Sequence, residues 1–228
     1  MYNRLLFFGC SFTNVEDSNT CIEFENYRFK LSNTIGLNQI SNAKNGKSNQ
    51  HIIDDVYTSS NKVAHLNDIF VIQYSFFDRL GIRSDMFDNK FISICKRIID
   101  DSCNWRDAKS INHYNNWLEY FYSKEGSIIE FEKEVNLISN WLRTSKIKFV
   151  SIGFDENMDG FSKYFYESNN FVKFDETYSM YNKAINQKLR IYDLIPENGN
   201  QDYHLNEEGH SYLSDKIIYK LKELDYIQ

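Results

Sequence analysis

The sequence predicts an α/β protein: a three-layer α/β/α sandwich around a central parallel sheet. Short apolar runs of strand length, Tyr2 to Gly9, Asp68 to Tyr74 and Ile147 to Ile152, alternate with longer segments whose apolar residues recur every three or four positions. The runs are apolar throughout, as expected of strands buried on both faces. At 228 residues the chain fits one medium-sized domain, able to bury a core without disulfides or metals as staples.

Tyr2 to Gly9 is aromatic-rich and bounded by glycine, and reads as a buried parallel strand. Ser11 then follows its C-terminal end, where open parallel sheets bind their ligands. Ser48 to Val63 carries Ile52, Ile53 and Val56 at helical intervals, with Ser48 or Asn49 as cap and Asp54 and Asp55 inside. Asp68 to Tyr74 is a second buried strand, whose end brings Ser75, Asp78 and Arg79 to the same rim. From about Leu80 to Gly126 the pattern is irregular, polar and aromatic, with Trp105, Trp117, Tyr120, Phe121 and Tyr122. It predicts an insertion of helices and loops over the active face, at about residues 80–126 of a single 1–228 domain.

Ile128, Phe131, Val135, Ile138 and Leu142 mark an amphipathic helix, and Ile147 to Ile152 a strand after it. Phe171 to Glu176 is read as a short strand, Tyr178 to Gln187 as a helix, and Arg190 to Ile195 as a last strand ended by Pro196. Asn206 to Leu224 closes the chain as a helix, with Leu213, Ile217, Leu221 and Leu224 on one face. Glu207 and Glu208 sit near its positive N-terminus. No repeat, linker or low-complexity tail interrupts the series.

Composition narrows the function classes. The net charge of −6 leaves no broad cationic surface for a phosphate backbone, which excludes nucleic acid as the expected partner. Cys10, Cys21, Cys95 and Cys103 form neither a CxxC pair nor a Cys/His cluster of zinc spacing, so they read as reduced thiols and no metal is expected. The apolar run Leu5 to Phe8 is too short for a signal-peptide core or a membrane span, so the expected location is the cytoplasm. Aromatic residues make up 16% of the chain; most are expected to pack in the core, although rings also suit sugar faces.

Two short segments carry the chemistry. Gly9-Cys10-Ser11-Phe12-Thr13 supplies a serine, and Asp202-Tyr203-His204-Leu205-Asn206, followed by Gly209-His210, supplies an acid and a base. A serine hydroxyl becomes a useful nucleophile when an imidazole takes its proton and a carboxylate fixes that imidazole's tautomer. On an extended segment, residues two apart project to the same side, so Asp202 can reach one ring nitrogen of His204 while the other faces Ser11. The order Ser, Asp, His is one known solution. His210 is expected to brace the loop rather than carry protons, and His51, His65 and His113 are assigned no role. Asp78 and Arg79 could hold an anionic substrate group or form a structural ion pair.

These segments make the chain resemble the SGNH hydrolase superfamily, the GDSL-like esterases and lipases, whose fold is flavodoxin-like. The first block, usually Gly-Asp-Ser, is here Gly9-Cys10-Ser11. The second resembles Asn42 to Asn49, with Gly46 as the backbone oxyanion donor. The third, usually Gly-x-Asn-Asp, is here Gln73-Tyr74-Ser75-Phe76, so Ser75 stands at the Asn donor position. The fourth, usually Asp-x-x-His, is the shorter Asp202-x-His204. The resemblance implies a triad of Ser11, Asp202 and His204 and an oxyanion hole of Ser11, Gly46 and Ser75. Asn49 and Arg79 are the candidate substrate-binding residues.

The function implied is removal of a small acyl group, acetyl by preference, from a sugar or polysaccharide intermediate, with no cofactor. The same residues would also serve an O-acyltransferase. Loss of the block-one Asp and block-three Asn leaves a third reading, a non-catalytic module that binds a glycan or a partner.

Overall fold

The computed structural model describes residues 4–10, 13, 25–44, 47–62, 67–77, 79–84, 90–95, 123–190 and 204–228. A four-stranded sheet is built from β1 (Arg4–Phe8), β2 (Asn38–Ser41), β3 (Ile69–Tyr74) and β6 (Lys148–Gly153), in the order β2-β1-β3-β6. All its pairings are parallel, with Leu6 opposite Ile40, Phe7 opposite Val71, and Val71 opposite Val150. Between β3 and β6 lie β4 (Arg79–Ser84) and β5 (Lys90–Cys95), which pair antiparallel as a separate two-stranded sheet.

Period-two alternation divides the core into two halves. One face of the sheet, with Leu5, Phe7, Ile69, Val71, Val150 and Ile152, packs on α1 (Tyr27–Ile35), α5 (Met180–Asn186) and α6 (Glu207–Glu223). The opposite face, with Leu6, Phe8, Phe70, Ile72 and Phe149, packs on α2 (Asn49–Lys62), α3 (Lys124–Thr144) and α4 (Lys163–Ser168). The periodic residues do what their spacing requires: Ile52 and Val56 of α2, Phe131, Val135, Ile138 and Leu142 of α3, and Leu213, Ile217 and Leu221 of α6 are all buried. The three-layer sandwich is therefore present as expected. At the opposite rim Arg4 forks onto the buried Asp68 carboxylate at 2.7 and 3.2 Å, a charge-assisted pair that pins the start of β1 to the start of β3.

Several elements depart from expectation. Within the stretch predicted as helices and loops, β4 and β5 form an antiparallel pair; Leu80 and Ile82, two apart in the sequence, lie opposite Ile94 and Ile92. Trp105 to Tyr122 lie outside the described residues. Phe171 to Glu176 is not a strand but two isolated bridges, Ser151 with Phe171 and Phe174 with Thr177. Asp175, left-handed at φ 58°, turns the chain there. Arg190 makes one antiparallel bridge to Leu205, and the rest of the expected last strand lies outside the described residues. The edge strand β2 and the helices α1 and α4 add to the elements expected.

Candidate active site

The four parallel strands end at one rim. The chain leaves β1 toward β2 on one side and returns to β3 on the other, so the β1 and β3 ends mark the switch point where such sheets usually take their ligands.

At the end of β1, Gly9 and Cys10 enter a turn closed by the Thr13 N–H donating to the Cys10 carbonyl at 3.0 Å. Gln73, buried in β3, fixes that turn. Its Nε2 donates to the Tyr74 carbonyl at 2.7 Å, so its oxygen faces the turn. There Oε1 accepts from Thr13 Oγ1 at 2.8 Å and from the Cys10 N–H at 3.4 Å. Thr13 has spent its only hydroxyl proton on Gln73, so the contact of 2.9 Å between Thr13 Oγ1 and Tyr27 Oη runs from tyrosine to threonine. Burial pushes the Tyr27 phenol above its ordinary range, which keeps that donor protonated. Asn26, the cap of α1, donates to the Thr13 carbonyl at 3.3 Å.

Gly9 is glycine for a steric reason: a Cβ there would lie 2.4 Å from Thr13 Oγ1 and 2.8 Å from Gln73 Oε1. The segment after β2 is drawn to the same place. Lys44 N–H donates to the Gly9 carbonyl at 3.2 Å, and Lys47 bonds the Asn42 carbonyl and pairs with Asp55.

Ser75, just past β3, is held by Asn49 from the first turn of α2. Asn49 Oδ1 accepts the Ser75 N–H at 2.7 Å and Nδ2 donates to the Ser75 carbonyl at 3.2 Å. The Ser75 hydroxyl is buried and makes no hydrogen bond among the described residues. Asn49, a candidate substrate-binding residue, is buried and engages Ser75 through both ends of its amide. Ser48 takes the capping role, its Oγ accepting the His51 N–H at 3.4 Å and lying 3.0 Å from His51 Nδ1. Beyond β6, the buried Asp155 carboxylate accepts the Phe77 N–H at 2.8 Å and stops the β3 segment from drifting.

His204 is half-buried and precedes Leu205 and Asn206 at the entrance of α6. Asn206 anchors this entrance: Oδ1 caps the helix through Gly209 N–H at 2.8 Å, Nδ2 donates to the Lys188 carbonyl at 3.1 Å, and its own N–H bonds the Leu189 carbonyl at 2.9 Å. His210 is buried and stacks on Tyr27, ring centroids 6.0 Å apart. Burial, with His204, Lys30 and Arg28 nearby, holds its imidazole down at about 3. His210 thus packs against the start of α1.

Ser11, Gly46, Asp78 and Asp202 lie outside the described residues. Arg79 opens β4, and its side chain lies outside them too. Cys10, Lys44 and Ser75 are brought to the rim at the β1 and β3 ends. Gln73, Thr13, Tyr27 and Asp155 were not singled out from sequence. A glutamine in an otherwise apolar run was the one available signal. No group of three His, Cys, Asp or Glu among the described residues could hold a metal ion.

Among solved structures the chain is similar to the protein YXIM of Bacillus subtilis, with a TM-score of 0.51 at 12% identity over 99% of this chain and 57% of that one. It is also similar to the acetyl xylan esterase AlAXEase, with a TM-score of 0.48 at 15% identity over 95% and 98% of the two chains. A member of the lipolytic protein G-D-S-L family from Veillonella parvula gives 0.39 at 12% identity over 95% and 96%. The likeness to the Bacillus subtilis protein is one of fold, a parallel sheet between layers of helices. At these identities what is shared is the architecture alone. No protein-family model and no curated protein matches the sequence. Among the described residues, no helix is long and apolar enough to cross a membrane.

Proposed function

We propose that the protein is a serine-dependent ester hydrolase that removes a small acyl group, acetyl by preference, from a sugar or polysaccharide intermediate. The observation that carries this reading is the Ser75 hydroxyl, buried at the end of β3 without a hydrogen-bond partner among the described residues. An unsatisfied buried hydroxyl costs about 1–3 kcal/mol. A developing oxyanion would satisfy it, and Asn49 holds its backbone in place in advance of reaction. The acetyl xylan esterase neighbour is consistent with the acyl group and the carbohydrate.

In this mechanism Ser11 Oγ attacks the ester carbonyl carbon as His204 takes its proton, and Asp202 orients the imidazole. The carbonyl oxygen becomes an oxyanion, met by the backbone N–H groups of Ser11 and Gly46 and by the Ser75 hydroxyl. Collapse breaks the ester C–O bond, and His204 returns the proton to the leaving sugar hydroxyl. Water, deprotonated by His204, then attacks the acyl-enzyme and releases the carboxylic acid and free Ser11. The one-residue spacer in Asp202-x-His204 favours a second reading, an O-acyltransferase, in which a sugar hydroxyl replaces water in that last step.

The test is hydrolysis of a small activated acetyl ester by the wild type and by Ser11→Ala, matched for folding by circular dichroism, with and without sugar acceptors. Loss of roughly three or more orders of magnitude in kcat is expected in the variant. Acylated sugar appearing at the expense of free acid would move the reading to the acyltransferase. An inactive wild type whose Ser11 takes no fluorophosphonate would leave the glycan-binding module.

A further inference from the structure

Within the reading of Ser11 as nucleophile, we propose that Gln73 is its positioning residue: from β3, it locks the Cys10 and Thr13 that flank the Ser11-Phe12 pair in the chain. In the family pattern this support is expected from block one, where this chain has Cys10 in place of an acid. Cys10 Sγ, 3.5 Å from Gln73 Oε1, is a weak hydrogen-bonding group and a poor substitute.

Three features make the lock specific. Gln73 is wholly buried, so its amide meets protein groups and not bulk water. Its orientation is set by the short bond from Nε2 to the Tyr74 carbonyl, which turns the oxygen toward Thr13, while Nε2 also makes a weak contact of 3.6 Å to Cys10 Sγ. The oxygen then ends a directional chain, Tyr27 O–H to Thr13 Oγ1–H to Gln73 Oε1, in which every proton is assigned and each bond polarises the next. That chain passes through the space a Cβ on Gly9 would fill. Gln73 sits where the family pattern has glycine in block three, so a side chain gained on β3 replaces an acid lost after β1.

Gln73→Met keeps length and removes both polar ends; Thr13→Val keeps shape and removes the hydroxyl. Each is measured by the rate of fluorophosphonate labelling of Ser11, by kcat and KM, and by NMR hydrogen exchange of the Thr13 amide against those of Val71 and Val150 in the sheet. We expect kcat and labelling to fall about 100-fold with KM nearly unchanged, and Thr13 exchange to rise at least about tenfold with the sheet amides unmoved. The double variant should lose little more than the worse single one, because both cut one chain. Gln73→Glu adds a pH readout: the protonated acid reproduces the donor and acceptor, whereas the carboxylate loses the donor to Tyr74. Thr13 exchange in this variant, relative to wild type, should therefore rise with pH. Unchanged Thr13 exchange in folded Gln73→Met or Thr13→Val overturns the lock. Fully multiplicative losses in the double variant overturn the single chain. A wild type whose Ser11 takes no label, with Thr13 exchange responding as expected, defeats the nucleophile reading and with it the catalytic purpose of Gln73.

Discussion

Gly209 and Gly160 separate two reasons for finding glycine in this chain. A Cβ on Gly209 would lie 2.6 Å from the Leu189 carbonyl oxygen, a backbone atom that Asn206 already holds, whereas a Cβ on Gly160 would meet nothing within 4 Å. Gly209→Ala should therefore cost about 1–3 kcal/mol in denaturant unfolding, with the His204 end of the site disturbed as well. Gly160→Ala should stay within about 0.5 kcal/mol of wild type. Equal effects of the two would mean that α6 can retreat from Leu189. The sequence made Gly209 visible as part of a His-Leu-Asn-x-x-Gly-His run but not its reason, because the contact is to a carbonyl some twenty residues upstream. Gln73 was hidden in the same way. Its partners are Cys10, Thr13 and Tyr74, and only the pairing of β1 with β3 places the first two beside it.

Among the elements, α6 was legible and β2 was not, for opposite physical reasons. Leu213, Ile217 and Leu221 recur at helical spacing behind an Asn cap, so local chemistry and burial agree. The edge strand β2 reads Asn-Gln-Ile-Ser and is largely exposed, so it owes its extended form to one hydrogen-bonded neighbour, β1. α1 was obscured because its buried side includes Arg28 and Ser32 beside Tyr27 and Leu31. The α6 entrance also makes the protein acid-sensitive. His210 faces Tyr27, Lys30, Arg28 and His204, and its folded value of about 3 lies below that of a free histidine. The unfolded chain thus binds the extra proton first, and stability is lost as pH falls from about 6.5 toward 3. The expected slope approaches about 1 kcal/mol per pH unit, and His210→Phe, which keeps a ring against Tyr27, should flatten it in urea titrations. An unchanged slope would assign acid sensitivity to other groups. Asn206→Ala should cost about 1–2 kcal/mol for the lost cap, and should also lower kcat, because the same side chain fixes the segment that carries His204.

At the scale of the molecule, the sheet order places β3 between β1 and β6 with every one of its residues buried, while β2 stands at an edge. Hydrogen exchange should follow that order. The amides of Phe70 to Gln73 should open only with global unfolding, and those of Asn38 to Ser41 by local fraying, orders of magnitude faster. Exchange in β2 as slow as in β3 would show that something covers that edge. The central position of β3 also explains why one of its side chains can serve a turn that belongs to β1. Gly9, Thr13 and Gln73 share a single pocket of space and a single proton chain, so natural selection sees them as one heritable character. In descendants and relatives of this chain they should be exchanged as a set: a lineage that gains a side chain at position 9 should be found to have given up both the threonine and the glutamine.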